Sequence, residues 1–245
     1  MQAFDPRLSF GPGVAARYDD DQFRGDEQAA AEFLAAYARG GRALEFAIGT
    51  GRIALPLAAL GVPLEGIELS AAMVDRLRAK PGGASLRVEL GDMTTVQMGD
   101  TYALVYLVYN TIFNLLTADD QVRCFENAAA HLARDGVFVV ETALPHACIE
   151  PGHADYVHTD FVELAAVGLD VARYDPVTQL LSENHVSITA SGVRFNPIVT
   201  RLITPGEMDL MARIAGLRLV DRFGAWQRTP FTATSEAHVS VYARA

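Results

Sequence analysis

Residues 42 to 141 alternate between short apolar runs and longer segments in which apolar residues recur every three or four positions. Each short run predicts a buried β-strand, and each periodic segment predicts an amphipathic helix. Strands and helices in alternation are typical of a parallel sheet with helices on both faces. We therefore expect an α/β fold with a doubly wound sheet, with strands at 42–47, 63–67, 86–90, 102–109 and 137–141 and helices at 52–60, at 70–79 and after Thr117.

The pattern changes after residue 145. Residues 161–202 consist of short segments of alternating polarity, which predict antiparallel strands. The turns predicted within this region are Asp175-Pro176, Ser182-Glu183-Asn184 and Ser191-Gly192. We expect these strands to form an antiparallel β cover that lies over the main sheet.

The last 43 residues predict a helix followed by two strands. Pro205 takes the first helical position, Thr204 and Glu207 have the spacing of a capping box, and Gly216 predicts the end of the helix. The final strands are predicted at the segments LRLVDRF and HVSVYAR. A further helix is predicted before the first strand, because Ala30, Phe33, Leu34 and Tyr37 share one helical face.

Charge and composition limit the binding partners and the cellular location that we expect for this chain. The net charge is −10 and the chain has no Lys/Arg-rich run, so we expect no nucleic acid as a partner. No apolar run is long enough to predict a membrane span. The first residues, MQAFDPR, do not read as a secretion signal, and the chain has two cysteines, so we expect a cytoplasmic protein.

A glycine-rich turn follows the first predicted strand, at Gly49-Thr50-Gly51. Ligands of open parallel sheets bind beyond the carboxyl ends of the strands, and glycine lets a ligand approach the backbone. Acidic side chains stand near the ends of the first three strands, at Glu45, Glu68 and Asp92. The turn also satisfies the dinucleotide spacing G-x-G-x-x-A, so an NAD(P)-dependent oxidoreductase remains an alternative at this point.

Taken together, these residues resemble the class I S-adenosylmethionine-dependent methyltransferases of small-molecule type. That family carries E/D-x-G-x-G-x-G at the end of its first strand, and Glu45 to Gly51 match it with Ala47 in place of the first glycine. The resemblance implies a Rossmann-like, seven-stranded, mostly parallel sheet with an antiparallel strand near the C-terminus. It also implies three regions, namely an N-terminal helical cap (1–40), a cofactor-binding methyltransferase core (41–145 and 203–245) and a cover insertion that shapes the substrate pocket (146–202).

The resemblance further implies roles for individual residues. Near the methionine end of S-adenosyl-L-methionine (SAM) it places Glu45, Ala47, Gly49 and Gly51. Glu68 would accept the ribose hydroxyls, and the adenine would contact Leu69, Asp92 and Met93. The remaining implied cofactor-binding residues are Tyr109 and Asn110 near the reactive sulfur and Tyr18 over the cofactor.

The substrate side is less defined by sequence. Some antibiotic-sugar N-methyltransferases carry a histidine after the fourth strand, and Asn114, which cannot take a proton, stands at that position here. We therefore assign no catalytic residue: either the substrate is already nucleophilic, or a base comes from the β cover, where His146 and His185 are candidates. The substrate-side candidates are Asn114, His146, His185 and Trp226. The His, Cys, Asp and Glu side chains between His146 and Asp160 match no zinc spacing, so no metal is predicted.

The predicted function is methyl transfer from SAM to a nucleophilic N, O or C atom of a small molecule. Two alternatives stay open from sequence, the oxidoreductase named above and a homologue that binds the cofactor without turnover. A homodimer is also an open alternative, because the strands of the β cover could pair between subunits.

Overall fold

The computed structural model of the chain describes residues 9–21, 24–150 and 152–245. Its strands are β1 Ala43–Phe46, β2 Leu64–Glu68, β3 Arg87–Leu90, β4 Tyr102–Leu107, β5 Leu132–Ala143, β6 Asp155–Val162, β7 Ala166–Asp175, β8 Leu180–Thr189, β9 Gly192–Arg201, β10 Leu217–Phe223 and β11 Ala237–Arg244. Its α-helices are α1 Pro12–Ala15, α2 Tyr18–Asp21, α3 Glu27–Ala38, α4 Ala54–Ala59, α5 Ala71–Arg78, α6 Ala118–His131, α7 Pro145–Cys148 and α8 Pro205–Ile214. Short 3-10 helices lie at Gly83–Ser85 and Thr111–Asn114.

The main sheet has seven strands in the order β10-β11-β5-β4-β1-β2-β3. Strands β1 to β5 pair in parallel, whereas β11 is antiparallel to both of its neighbours, β5 and β10. This confirms the predicted doubly wound sheet with one antiparallel strand near the C-terminus. A dinucleotide-binding domain of six parallel strands would not contain that strand.

Both faces of the sheet are covered by helices. Successive residues of a strand point to opposite faces, so Val105 and Leu107 of β4 join the core under α6 and α8, whereas Leu104 and Tyr106 join the core under α3 and α4. The continuous apolar run of this strand is therefore explained by burial on both sides. The strand ends at Leu107 rather than at residue 109, because Tyr109 and Asn110 both adopt positive φ angles, +62° and +60°.

The predicted helix starts are confirmed by their caps. The Ser70 hydroxyl accepts the Met73 N–H at the start of α5, and the Thr117 hydroxyl accepts the Asp120 N–H at the start of α6. At α8, Thr204 and Glu207 form both bonds of a capping box. These bonds satisfy backbone donors that the first helical turn leaves unpaired.

The second sheet is the antiparallel meander β6-β7-β8-β9. It begins at Asp155, six residues before the predicted start. The turn predicted at Ser182-Glu183-Asn184 is wrong, because these residues lie inside β8 and pair in unbroken register with both β7 and β9. Hydrogen bonding to two neighbouring strands outweighs the local preference of these polar residues for a turn.

The longest described α-helix is α6, with 14 residues. Within the described ranges, no helix has both the length and the apolar character that crossing a bilayer requires.

Candidate active site

A cavity of about 810 Å³ lies at the carboxyl ends of β1, β2 and β4, between the main sheet and the β6–β9 sheet. Eleven of the residues predicted for the site line it, and they come from three parts of the chain. They are Tyr18 from the N-terminal segment, Ala47, Gly49, Glu68, Leu69, Asp92, Met93, Tyr109, Asn110 and Asn114 from the main sheet and its loops, and His185 from the β6–β9 sheet.

The glycine turn after β1 has two different constraints. At Gly49, which has a φ of +58°, an added Cβ would find only the Ala47 carbonyl oxygen within 4 Å, so this glycine leaves the backbone open towards the cavity. At Gly51 an added Cβ would lie 2.3 Å from the Leu77 side chain. Gly51 is therefore required for packing against α5, and it does not line the cavity. Ala47 has a φ of +54°, a conformation that costs a non-glycine residue about 1 kcal/mol.

Glu68, at the end of β2, fixes this turn. One carboxylate oxygen accepts the Gly49 N–H and the other accepts the Ser70 N–H, both at 2.8 Å. The residue is only 6 % exposed, and burial raises its pKa while the backbone N–H donors act in the opposite direction. Each carboxylate oxygen has a second lone pair, so Glu68 can also accept hydroxyl groups of a ligand in the cavity.

The loop after β3 offers an acceptor beside an apolar surface. One Asp92 oxygen accepts both the backbone N–H and the hydroxyl of Thr94, each at 2.8 Å, which orients the carboxylate. The buried Met93 and the exposed Leu69 line the cavity nearby. This combination suits a flat heterocycle that carries an amino donor.

Glu45 lies apart from the cavity, which corrects the expectation of a direct ligand contact. Its carboxyl group is 2 % exposed on β1, where it accepts the Tyr106 hydroxyl at 2.8 Å. Burial raises its pKa to about 8, although the Tyr106 hydrogen bond and the Arg52 charge act to lower it. Glu45 is therefore a buried support of the strand end, beneath the turn.

Tyr109 and an arginine that sequence reasoning missed form another wall. The guanidinium groups of Arg24 and Arg52 lie 4.9 Å and 4.3 Å from the centre of the Tyr109 ring. Arg24 lines the cavity and also donates to Glu141 at 3.0 Å. A ligand that carries a carboxylate needs a cation of this kind. The sequence does not identify Arg24 as that cation, because only the folded chain brings residue 24 to the end of β4.

The N-terminal segment closes one side of the cavity. The Ser70 hydroxyl donates to the Phe10 carbonyl at 2.7 Å, and the Ser9 hydroxyl donates to the Pro197 carbonyl of β9 at 3.2 Å. The segment thus connects the start of α5 to the β6–β9 sheet. Residues 1–8 and 22–23 of the predicted N-terminal cap lie outside the described residues.

Two of the substrate-side candidates do not reach the cavity. Trp226 is wrong as a substrate contact, because its ring is buried in the core against Phe33, with 5.3 Å between ring centres. The exposed His146 lies on α7, and its neighbours Ala147 and Cys148 line the cavity instead. Asn114 and His185 do line it.

The β6–β9 sheet adds polar residues that sequence reasoning did not single out. Its cavity face carries Tyr156, His158, Asp170, Glu183 and Asn196. They are separated by up to 40 residues in sequence, and only the strand register shows that they share a face. In the part of the chain that the structure describes, no three His, Cys, Asp or Glu side chains converge as a metal site would require.

Comparisons with known proteins decide the family. A family model described as "Methyltransferase domain" matches residues 43–136. The structure of the CcbJ methyltransferase from Streptomyces caelestis is similar over 99 % of this chain and 100 % of that one, with 37 % identity and a TM-score of 0.91. The chain belongs to the S-adenosylmethionine-dependent methyltransferase family. The methyltransferase is an enzyme whose methyl donor is SAM, and the nicotinamide-dependent alternative is set aside.

Two further relatives of the methyltransferase cover most of its length. The cypemycin N-terminal methyltransferase of a Streptomyces species is 25 % identical over 211 residues, which is 82 % of each chain. A SAM-bound amino pentose methyltransferase from Micromonospora echinaspora is 24 % identical over 100 % of this chain and 99 % of that one, with a TM-score of 0.70. The latter likeness supports the fold.

Lys80, the only lysine of the methyltransferase, connects α2 to the glycine turn through hydrogen bonds. Its ammonium group donates to Asp19 at 2.7 Å and to the Thr50 carbonyl at 2.8 Å, and the Thr50 hydroxyl also donates to Asp19. We expect Lys80→Met to weaken binding of S-adenosylhomocysteine about five-fold, roughly 1 kcal/mol for partly exposed charged hydrogen bonds, because Tyr18 on α2 lines the cavity. Calorimetric titration measures this, and Lys80→Arg serves as the control that keeps the charge. Unchanged affinity for Lys80→Met would contradict a role for α2 in closing the site.

Proposed function

We propose that this methyltransferase transfers the methyl group of SAM to a basic nitrogen atom of a small molecule. The observation that carries the proposal is the continuity of the cavity, which runs from the glycine turn and Glu68 to the polar face of the β6–β9 sheet. A volume of about 810 Å³ lies within the range of about 300 to 1,000 Å³ that is typical of small-molecule sites.

The residues on the main-sheet side fit the donor. Glu68 would accept the two ribose hydroxyls, and Asp92 would accept the adenine amino group beside Leu69 and Met93. Gly49 lets the donor approach the turn, and Arg24 can pair with the donor's carboxylate. The remaining contacts would come from Tyr18 over the donor and from Tyr109 and Asn110 near its sulfur.

The chain's contribution to the reaction is mainly alignment. SAM carries an activated methyl group on a sulfonium ion, so the protein has to hold the acceptor in line with the carbon–sulfur bond and keep water out. Ordering two reactants in this way supplies up to about 7–11 kcal/mol in well-oriented model reactions. The hydrogen bonds of Ser9 and Phe10 close the cavity between α5 and β9, and so support this exclusion of water.

The charges on the acceptor side favour an amine. Glu150, Asp170 and Glu183 line the cavity there, whereas Arg24, the one arginine or lysine among the lining residues described, lies by Tyr109. Acidic walls concentrate cationic ligands. The name of the cypemycin N-terminal methyltransferase states an N-terminus as that relative's methylation site, and an unmodified N-terminus carries an amine.

The three predicted regions receive distinct roles in this proposal. The described part of residues 1–40 would close the cavity, 41–145 and 203–245 would bind the donor, and the described part of 146–202 would shape the acceptor side. We also propose a homodimer formed through the outer face of the β6–β9 sheet, which exposes the apolar side chains Val157, Val171, Val193 and Phe195. Light scattering on the purified protein tests the dimer.

A cytoplasmic location without a nucleic-acid partner is proposed as well, supported by two unpaired cysteines and the acidic charge.

The function is tested in two steps with the purified protein. Calorimetry measures binding of SAM and S-adenosylhomocysteine, and mass spectrometry then follows formation of S-adenosylhomocysteine with benzylamine, N-methylbenzylamine, benzyl alcohol and benzyl mercaptan. We expect micromolar binding and turnover of the amines only. Absence of donor binding, or binding without turnover of any amine, would contradict the proposed function.

A further inference from the structure

Four polar side chains form a row across the cavity face of the β6–β9 sheet. The strand register pairs His158 with Asp170, Asp170 with His185, and His185 with Asn196. Residues that stand directly opposite each other on neighbouring strands project from the same face. All four side chains line the cavity.

Within this row, Asp170 holds His185. The carboxylate oxygen Oδ1 of Asp170 lies 2.6 Å from Nδ1 of His185. A neutral imidazole that donates from Nδ1 to a carboxylate keeps its lone pair on Nε2. The His185 side chain is 46 % exposed and the Asp170 side chain 24 % exposed, so the imidazole is oriented and still reachable from the cavity.

Glu183 lies on the same face of the β6–β9 sheet, next to His185 along β8, and adds a carboxylate there. It stands two residues before His185 on β8, paired with Ala172 and Ile198 on the neighbouring strands, and it lines the cavity. Burial raises its pKa, whereas the neighbouring His185 acts to lower it. A carboxylate in this position can bind an ammonium group beside the imidazole.

An amine acceptor needs a base, because an ammonium nitrogen has no lone pair with which to attack the methyl group. Asn114, on the main-sheet side, cannot take the proton. The cavity-lining residues described include two imidazoles, His158 and His185. Of these, His185 is the one that the structure pairs with a carboxylate.

We propose that His185 is the general base towards the acceptor, Asp170 is its positioning residue and Glu183 binds the acceptor's ammonium group; this assignment rests on the proposed function. The nitrogen–hydrogen bond of the ammonium breaks and its proton passes to Nε2 of His185. The freed lone pair forms the new nitrogen–carbon bond, while the donor's carbon–sulfur bond breaks and its electron pair stays on sulfur. The proton then leaves His185 for solvent.

The charged and titratable groups around His185 come from each neighbouring strand. Asp170 faces it from β7, His158 follows on β6, and Glu183 lies on its own strand. On β9 the register partner of His185 is the uncharged Asn196, and Arg194 lies two residues before Asn196 on the same strand. These groups set the local charge around His185, and the variants below change Asp170 and Glu183 separately.

The first test measures turnover of N-methylbenzylamine by His185→Gln. General base catalysis contributes about 10²- to 10⁴-fold, so we expect kcat to fall at least 100-fold while the Kd for S-adenosylhomocysteine stays within two-fold. His146→Gln, which changes an exposed histidine outside the cavity, is the matched control and should keep the wild-type rate. Added imidazole should restore turnover to His185→Ala, a rescue that a merely structural histidine would not show.

Asp170→Asn tests the positioning role. We expect kcat to fall about ten-fold with little change in KM, because a neutral amide orients the imidazole less firmly than the carboxylate does. A wild-type rate in His185→Gln, or a wild-type kcat in Asp170→Asn, would overturn the assignment while leaving methyl transfer itself established. Loss of donor binding in the wild type would instead contradict the proposed function.

Glu183 is tested without turnover, using choline and its uncharged isostere 3,3-dimethylbutan-1-ol in the presence of S-adenosylhomocysteine. Choline already carries a quaternary nitrogen and cannot be methylated there. We expect the thermal shift of the wild type to be larger with choline than with the isostere, and Glu183→Gln to lose that preference. Equal shifts for both probes in the wild type, or an unchanged preference in the variant, would overturn the cation-binding role.

Discussion

Replacing Glu68 with alanine lowers the affinity of the methyltransferase for S-adenosylhomocysteine by at least 100-fold, in our expectation. Hydrogen bonds to a charged group are worth about 1.5–3 kcal/mol each, and two ribose hydroxyls would lose their acceptor. The same carboxylate accepts the N–H groups of Gly49 and Ser70, so its removal also loosens the glycine turn. A 100-fold loss corresponds to about 2.7 kcal/mol.

Calorimetric titration with S-adenosylhomocysteine measures this loss, and thermal unfolding reports whether the fold survives. Glu89→Ala is the matched control, because Glu89 is an exposed glutamate on the adjacent strand β3 and does not line the cavity. Glu68→Gln should be intermediate, since an amide keeps one acceptor oxygen. Wild-type affinity in Glu68→Ala would remove the basis for placing the donor's ribose at β2.

Glu45→Gln raises the stability of the protein at neutral and alkaline pH, and this is the second large effect that we expect. Burial raises the Glu45 pKa from 4.5 to about 8. A carboxyl group that is harder to ionise in the folded chain contributes its full stability below about pH 4.5, and loses it as the pH rises towards 8. The loss is about 1.4 kcal/mol per pH unit, or about 4 kcal/mol at pH 7.5.

Glutamine removes this pH dependence and keeps an oxygen for the Tyr106 hydroxyl, which donates to Glu45 at 2.8 Å. Urea unfolding of the wild type and Glu45→Gln at pH 5, 6.5 and 8 measures the difference. The two proteins should be nearly equal at pH 5, and the variant should be increasingly more stable above it. Parallel stability profiles across this range would show that Glu45 ionises normally in the folded protein.

Some of the site can be predicted from sequence because its signals are local. The strand before Gly49 and the helix after it follow from apolar periodicity, and parallel strands place their ends at one edge of the sheet. The sequence therefore predicts Glu68 and Asp92 beside the glycine turn, and in the structure Gly49, Glu68 and Asp92 line one cavity. The caps at Ser70, Thr117 and Thr204 are local in the same sense, since each bond spans three residues.

Other features depend on contacts between distant parts of the chain. Glu45 satisfies the same motif as Gly49, yet β1 directs its carboxyl towards Tyr106 and away from the cavity. The sequence makes Trp226 a candidate ligand contact, but its packing against Phe33 places it in the core. Arg24 reaches the Tyr109 ring only because the N-terminal segment folds over the ends of the strands.

The sequence by itself determined the alternation of strands and helices, the antiparallel character of the β6–β9 sheet and the residues of the proposed donor side, because periodicity, capping and strand ends are properties of neighbouring residues. Tertiary structure alone decided which residues form the proposed acceptor side. Glu183 belongs to a polar segment that favours a turn, and it became a cavity residue when β8 paired with β7 and β9. Asp170 and His185 meet for the same reason: the register of β7 against β8 depends on the geometry of the turn that joins them, and that geometry is seen only in the folded chain.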